Sequence, residues 1–293
     1  MPLIRAWRAI WDGEVPVARY VPLRIGVGVM FAFALATALP HASVLYDAAL
    51  GLPAALTQST RPHWGMFDTL SGAAVPSVIG LGIVSALLFA GGIAPRVFGV
   101  VAYLVHFGLQ DRNGMWADGS DTLLRCLLFF LLLAPLGRRA GTAPVWPLRL
   151  LQIQIAVVYL ATAIYKHTGS DWVNGNALYW VLSDARYMRF PTDLLVGTAA
   201  GQTVLRLATW GTLALEYALP VLLLWPRTRR WGIVLGCSLH LGILLLMRIG
   251  LYTPVMLVAY LAFVTLPLPP RRAVAAHRQP VVDHLGALRE ERP

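Results

Sequence analysis

Long apolar segments recur along the whole chain, and they limit the folds that are open to it. Eight such segments can be recognised, at 21–39, 73–93, 96–110, 121–136, 149–166, 204–225, 231–247 and 250–267. A helix needs about 20 apolar residues to cross a lipid bilayer, and only the third and fourth segments are clearly shorter than that. The pattern predicts an all-α protein, a polytopic membrane bundle of about eight transmembrane helices.

Composition agrees with a membrane protein and argues against other classes. Hydrophobic residues make up 57% of the chain and charged residues 13%, whereas a soluble domain has about 25% charged residues. The net charge of +10 does not indicate a nucleic-acid partner, because the arginines punctuate apolar segments as membrane topology signals do. Cys126 and Cys237 both lie inside apolar runs, and no zinc-binding spacing occurs, so we expect neither a disulfide nor a metal site.

The distribution of arginine predicts the orientation of the helices. Basic residues occupy every second connection, namely Arg5, Arg8 and Arg19, then Arg96, then Arg138 and Arg139, then Arg227, Arg229 and Arg230, and finally Arg271 and Arg272. Arg248, between the last two spans, is a minor exception. The positive-inside rule then places both termini in the cytoplasm. The first segment starts late, is long and lacks a cleavage site, so we expect a span and not a cleaved signal peptide.

The connections on the opposite side contain mixed polar and aromatic residues. They are the segments 40–72, 110–121 and 166–203. Simple helix connectors do not need this chemistry, so we expect a functional site on the extracytoplasmic side. Segment 166–203 is long enough for a short helix near 174–187, lying at the membrane or entering it.

Lys166 is the only lysine among 24 basic residues, and it stands at the end of a predicted span. Burial favours a neutral amine, which can accept a proton from a phenol or quinol, whereas a nearby carboxylate keeps the ammonium charged. Two alternatives remain open. Lys166 is a catalytic base, or it is a remnant of codon bias whose side chain extends to the membrane interface.

Other ionisable residues also lie within the predicted spans, and each has two interpretations. Asp121 and Arg125 share one helix face, so they form either an internal ion pair or part of a polar cavity that includes Lys166. Glu216 and His240 lie near the middle of their spans, where an ionisable group is costly. They form either a structural hydrogen bond with each other or a buried functional site.

Three stretches, in order and with suitable spacing, resemble the HTTM (horizontally transferred transmembrane) domain family over about residues 20–268. The first runs from Arg112 to Arg125 and contains Asp121; the second runs from Tyr159 to Ala177 and contains Lys166 and Trp172; the third includes Glu216, His240 and Tyr252. The family includes the membrane region of vitamin K-dependent γ-glutamyl carboxylase and bacterial relatives linked to maturation of a toxin peptide.

The resemblance implies a chemistry for these residues. In the carboxylase, the lysine of this motif is the proposed base for vitamin K hydroquinone, so Lys166 would be that base here. His240 would face the quinone pocket. Asp121 stands about where the carboxylase has a histidine that assists carboxylation, and the residues after 268 leave no room for the carboxylase's extracytoplasmic β-rich domain. Both departures put carboxylation itself in question.

The first hypothesis is therefore a membrane enzyme that uses a quinol, menaquinol or similar to vitamin K hydroquinone, to modify a secreted peptide or a small molecule. Its catalytic residues would be Lys166, Asp121 and His240, and its cofactor-binding residues would be Trp172, Glu216, Tyr252, Arg125 and Arg112. The alternatives are a maturation or export partner of a secreted peptide without carboxylase activity, and a proton-coupled transporter. A quinone-sized apolar cavity within reach of Lys166 would favour the enzyme.

The expected organisation has three parts. Residues 1–20 form a basic cytoplasmic segment, residues 21–268 form the HTTM-like transmembrane domain, and residues 269–293 form a polar cytoplasmic tail. We expect a multi-pass protein of a bacterial inner membrane, in contact with the lipid bilayer and with its site facing the extracytoplasmic side.

Overall fold

The computed structural model describes residues 11–50, 63–136 and 141–264, and helices account for most of them. The first six helices are α1 Val21–Ala38, α2 Ala42–Tyr46, α3 Ala74–Gly91, α4 Pro95–Arg112, α5 Gly119–Leu132 and α6 Trp146–His167. They are followed by α7 Ser170–Val173, α8 Ala177–Ser183, α9 Asp193–Val196, α10 Ala199–Leu224, α11 Arg229–Leu246 and α12 Tyr252–Ala259. Short 3-10 turns lie at Val17–Arg19, Leu39–His41, Gly114–Trp116 and Tyr260–Ala262.

A helix occurs at each of the eight predicted positions, although not all of them are long enough to cross a membrane. Five stretches in the described part of the chain are long and apolar enough, and these are Val17–Tyr46, Ala74–Gly91, Trp146–His167, Ala199–Leu224 and Arg229–Leu246. Helix α5 has only 14 residues, and α12 with its 3-10 turn is a shorter apolar helix. The short helix predicted near 174–187 is present but shorter, as α8 from Ala177 to Ser183. Residues 265–267 of the last predicted span, the tail at 269–293 and most of the segment 1–20 lie outside the described residues.

A small β-sheet corrects the all-α prediction. Strand β1, Glu14–Pro16, pairs antiparallel with strand β2, Thr142–Pro144. Each strand has only three residues, so neither produces a recognisable alternation of apolar and polar residues in the sequence. The Tyr20 hydroxyl donates a 2.6 Å hydrogen bond to the carbonyl of Pro144 and joins the start of α1 to the start of α6.

Close antiparallel packing of α1 against α3 builds the first half of the bundle. Gly28 faces the backbone of α3, because a Cβ at this position would meet Ala86 O at 2.7 Å and Ala90 Cβ at 2.8 Å. Near the start of α1, Arg24 Nε donates to the carbonyl of Ala90, at the end of α3. Small residues allow helix backbones to approach each other closely in membranes, where lipid removes most of the hydrophobic driving force.

The main apolar core lies among α1, α5, α6, α10 and α12. It contains fully buried leucines of α5 and α6, such as Leu127 and Leu151, together with Leu219 of α10 and Met256 of α12. Large apolar side chains also cover the outer faces of the long helices: Val157, Ile164, Leu207, Val221 and Leu245 are each at least half exposed. Such a surface is typical of a bundle that lipid surrounds.

One connection at the polar end of the bundle is tied to α4. Asp111 accepts hydrogen bonds from the backbone amides of Trp64 and Gly65, and its carbonyl lies 3.2 Å from His63 Nδ1. His63 Nε2 lies 2.7 Å from Asp68 Oδ2. The connection from His63 to Ala73 is therefore held over the end of α4, next to the start of α5.

Candidate functional site

Lys166 forms an ion pair with Glu216, which lies 50 residues further along the chain. The distance from Lys166 Nζ to Glu216 Oε1 is 2.5 Å. Lys166 projects from the last turn of α6, and Glu216 lies in the middle of α10, which packs along α6. The Glu216 side chain is 7% exposed and the Lys166 side chain 24%, so the pair is largely removed from solvent. Lys166 therefore does not extend freely into bulk water.

The second oxygen of Glu216 gives the pair an unused acceptor. Glu216 Oε2 is buried and has no hydrogen-bond partner among the described residues. A buried oxygen without a partner costs about 1–3 kcal/mol, and more when the group is charged. A ligand-binding site can keep such an oxygen, because the bound ligand supplies the missing hydrogen-bond partner.

Trp172 covers the lysine. The centre of its ring lies 4.7 Å from Lys166 Nζ, which is a cation–π distance. Trp172 belongs to α7, which the chain reaches by leaving α6 through the extended residue Gly169. The carbonyl of Val173 accepts a 2.9 Å hydrogen bond from the Trp210 indole, so α7 is fixed on α10. Lys166, Glu216 and Trp172 are thus brought together by three elements.

His240 belongs to a neighbouring group of buried tyrosines. Its Nε2 lies 2.7 Å from the Tyr159 hydroxyl, which lies 2.6 Å from the Tyr260 hydroxyl. The rings of His240 and Tyr252 are 5.9 Å apart. The Glu216–His240 hydrogen bond that the sequence left open is not formed, because Lys166 takes the carboxylate and Tyr159 takes the imidazole. Tyr252 is close enough to both Glu216 and Asp118 for their charges to act on its hydroxyl.

Asp121 has a different partner from either that the sequence suggested. Its Oδ1 lies 3.0 Å from Nε2 of His106, a residue of α4. Its Oδ2 accepts the backbone amide of Asp118, which completes a capping box at the start of α5. Arg125 lies one turn further along, with its guanidinium 5.9 Å from the centre of the Phe107 ring. Asp121 thus contacts His106 of another helix, and the charge of Arg125 also acts on it.

A cavity of about 410 Å³ opens beside Asp121 and not beside Lys166. His106, Gln110, Asp118 and Asp121 supply most of its polar lining. Lys166 does not line this cavity. Leu251 lines the cavity, and the next residue, Tyr252, contacts His240, so the two sites adjoin at the start of α12.

Arg112 is not among the residues that line the cavity beside Asp121. It is 3% exposed, at the end of α4, and its charge reaches Asp47. The pKa of Asp47 is below its usual range mainly because the backbone amides of Ala49 and Gly72 donate to it, and Arg112 adds a smaller effect. The hydrogen bonds from these amides to Asp47 hold the connection that follows α2.

Sequence reasoning overlooked three residues of these groups: His106, Tyr159 as a hydrogen-bonding residue, and Tyr260. His106 lies inside the predicted span 96–110, where the rule that singled out Glu216 and His240 would also have identified it. Tyrosine is common in membrane helices, so the sequence offers no comparable signal for Tyr159 and Tyr260. Among the described residues, no three His, Cys, Asp or Glu side chains lie close enough together to hold a metal ion.

Comparison with known proteins supports the resemblance over the second half of the chain. Residues 134–266 match the family model of the HTTM domain. This range includes Lys166, Trp172, Glu216, His240 and Tyr252, whereas Asp121 lies before it. The chain is also 24% identical over 178 residues to the uncharacterized protein YitO of Bacillus subtilis (strain 168), an alignment that covers 55% of this chain and 57% of YitO. No solved structure matches the chain.

Proposed function

We propose that this chain, which carries an HTTM domain over residues 134–266, is a membrane enzyme that transfers a proton from a quinol at the Lys166–Glu216 pair. The observation that carries the proposal is the 2.5 Å contact between Lys166 Nζ and Glu216 Oε1 inside an apolar bundle, beneath the indole of Trp172. The modified product would be a secreted peptide or a small molecule, as the resemblance to the carboxylase family suggests.

The residues of the pair fit a quinol head group. Glu216 Oε2, buried and without a partner among the described residues, is an acceptor for a hydroxyl group. Trp172 provides an aromatic face next to Lys166, against which a quinone ring can pack. A bound quinol would supply a hydroxyl proton and, on its own oxidation, the electrons that reduce molecular oxygen.

The pair, and not the lysine alone, provides the base. A lysine in its ammonium form cannot accept a proton. Movement of its proton across the short hydrogen bond to Glu216 would leave a neutral amine beside a carboxylic acid. Lys166 could then accept a proton, and Glu216 would hold the other one. Lysine suits this role because its amine deprotonates on burial, which the guanidinium of arginine does not.

The proposal places the pair on the extracytoplasmic side of a bacterial inner membrane, in agreement with the arginine distribution. Lys166 stands 17 residues beyond Arg149 along α6, about 26 Å at the rise of an α-helix. The pair would therefore lie within the membrane but closer to the extracytoplasmic face.

Quinol oxidation in lipid nanodiscs tests the proposal. The protein is supplied with menaquinol or vitamin K hydroquinone in the presence of oxygen, and wild type is compared with Lys166→Met, Lys166→Arg and Glu216→Gln. We expect each variant to lose at least about a hundredfold in rate, the lower range for loss of a general base. Glu14→Gln, an exposed carboxylate at the opposite end of the bundle, is the matched control and should retain the wild-type rate.

Lys166→Arg separates two roles of the lysine. Arginine retains the positive charge and the pairing with Glu216 but does not deprotonate. Full activity of Lys166→Arg would show that the charge alone is needed and would exclude the base. Absence of oxidation above background in the wild-type protein, with both quinols, would overturn the proposed function as a whole.

A further inference from the structure

The cavity beside Asp121 has features of a ligand site that is separate from Lys166. Its volume of about 410 Å³ lies within the range of pockets for small molecules, about 300–1,000 Å³. The walls include Tyr46, Trp116, Met115 and Leu109, which form an apolar and aromatic surface. The polar groups are concentrated on α4 and at the start of α5.

His106 supplies an acceptor that nothing in the described part of the chain uses. The side chain lines the cavity, the residue is only 3% exposed, and its Nδ1 is buried without a hydrogen-bond partner among the described residues. Its Nε2 faces Asp121 Oδ1 at 3.0 Å. A carboxylate only accepts hydrogen bonds, so Nε2 carries a proton. When the ring carries no second proton, Nδ1 has a free lone pair.

The contacts of the neighbouring residues hold this tautomer in place. Asp121 cannot turn away, since its other oxygen accepts the amide of Asp118 in the capping box. Gln110 also contacts His106, with the amide group 3.5 Å from Nε2, and its Oε1 is buried without a described partner. The two ends of the Gln110 side-chain amide can be exchanged by a flip of the group. The Gln110 oxygen would then accept a hydrogen bond from His106 Nε2–H, and the Gln110 NH₂ group would be free to donate.

The charge of the lining defines the ligand further. Asp118 and Asp121 both line the cavity, and no lysine or arginine does so among the described residues. An anionic ligand is therefore disfavoured. A group that donates a hydrogen bond satisfies His106 Nδ1, and an apolar body fills the space between Tyr46 and Trp116.

We propose that this cavity binds a small apolar molecule with one hydrogen-bond-donating head group, a phenol or a primary amine, and that Nδ1 of His106 accepts the hydrogen bond. The site does not include Lys166, so it stands whether or not Lys166 is a base. His106 is the recognition residue, and Asp121 positions it by fixing its tautomer.

Nitrogen NMR on His106 tests this site directly. Apolar probes dissolve in lipid, so total uptake is uninformative, and the signal has to come from the residue itself. The full-length protein, labelled with ¹⁵N-histidine in nanodiscs, is titrated with 4-hexylphenol, hexylamine or hexylbenzene. We expect a saturable shift of the His106 Nδ1 signal with one or both donors, and none with hexylbenzene, which has the same apolar body and no donor.

Two variants make the test specific. In competition against a fluorescent alkylphenol, His106→Phe should weaken binding about tenfold, as expected for one lost hydrogen bond in a buried site. His167→Phe makes the same chemical change at the end of α6, outside the cavity, and should leave binding unchanged. The proposal is overturned if hexylbenzene shifts the signal as the donors do, if no probe shifts it, or if His106→Phe binds like wild type. The comparison of the three probes requires no variant, so it remains decisive if His106→Phe fails to fold.

Discussion

Lys166 and Glu216 stabilise each other inside the bundle. A lone carboxylate in the middle of a membrane helix costs a few kcal/mol, and a lone ammonium ion costs a comparable amount. Across 2.5 Å each provides the counter-charge of the other, and both side chains are long enough to meet between two helices. Asp121 likewise has a partner on another helix, the His106 imidazole, whose Nε2 donates a hydrogen bond to it. In both cases the partner of the carboxylate lies on another helix.

The first prediction concerns the free energy of unfolding of the Lys166–Glu216 pair. Lys166→Met or Glu216→Leu alone leaves a buried charge without its partner, and each should destabilise the protein by about 3–5 kcal/mol. The double variant should be far less destabilised than the sum of the two. Unfolding in mixed detergent, followed by circular dichroism, measures all four proteins.

The exposed ion pair Asp184–Arg186 supplies the control for this comparison of single and double variants. It is also an ion pair, at 2.7 Å, but the Arg186 side chain is 80% exposed. Its removal should change stability little, because solvent screens the interaction. Strictly additive effects at Lys166 and Glu216 would mean that the two side chains do not interact in the membrane.

Helices α6, α11 and α12 meet at small residues that leave room for the tyrosines. Gly236 of α11 lies directly against the Tyr260 hydroxyl, and a Cβ at this position would overlap it. That hydroxyl bonds to Tyr159, which in turn bonds to His240. The buried polar group therefore depends on a glycine that carries no chemistry of its own.

The second prediction follows from this contact. Gly236→Ala should push the Tyr260 ring away from Tyr159 and destabilise the protein by about 1–3 kcal/mol, the usual cost of overpacking. Gly242→Ala on the same helix is the matched control, since nothing lies within 4 Å of its Cβ position. This control should be neutral or up to about 1 kcal/mol more stable, because alanine favours a helix over glycine. Thermal melting in one detergent compares the two, and equal stabilities would contradict the close contact.

The third prediction concerns pH and the connection that follows His63. The hydrogen bond to Asp68 raises the pKa of His63 above its ordinary value of 6.5, and the charge of Asp111 adds to this. A raised pKa means that protonated His63 stabilises the folded connection. This stabilisation is complete below pH 6.5 and is lost as the pH rises through the raised pKa.

Amide hydrogen exchange between pH 6 and pH 8.5, corrected for the intrinsic rate, measures this effect. Residues 63–70 should lose protection as the pH rises, and His63→Gln should remove the dependence on pH. Among the described residues, Asp68 and Asp111 are charged groups that face His63. Protection that does not vary with pH in the wild-type protein would exclude the role of the His63 charge.

At the scale of the molecule, helix alternation separates an arginine-rich end from a polar and aromatic end. The described arginines Arg19, Arg149 and Arg229 lie within electrostatic range of one another at the first end. Asp121, Trp172 and the connection at His63 lie towards the other end. Such a distribution is what the positive-inside rule uses to orient a membrane protein.

The fourth prediction is the sidedness of these two ends. Arg186→Cys lies in the connection between α8 and α9, and Arg227→Cys lies between α10 and α11; both positions are exposed. In intact cells, a membrane-impermeant maleimide should label the first variant and not the second, and lysis should expose the second. Native Cys126 and Cys237 are partly buried within helices and give the background. The reverse pattern of labelling would invert the orientation.

The sequence by itself determined where the long helices lie, and that Lys166 stands at the end of one of them while Glu216 lies within another. It predicted eight spans, whereas five stretches among the described residues are long and apolar enough to cross a membrane. These features are local, because apolar content and helix length follow from consecutive residues. The location of Lys166 at a helix end and its similarity to a family motif were sufficient to nominate it.

Only the tertiary structure decided the partners. Periodicity shows which residues share the face of a helix, but it does not show which face of another helix they meet or at what depth. Glu216 therefore pairs with Lys166 and not with His240, Asp121 pairs with His106 of another helix, and the cavity opens beside Asp121. The physical reason is that each pairing depends on how whole helices pack. That packing is set by the apolar core and by close contacts such as those of Gly28 with α3 and of Gly236 with Tyr260, which join residues distant in sequence.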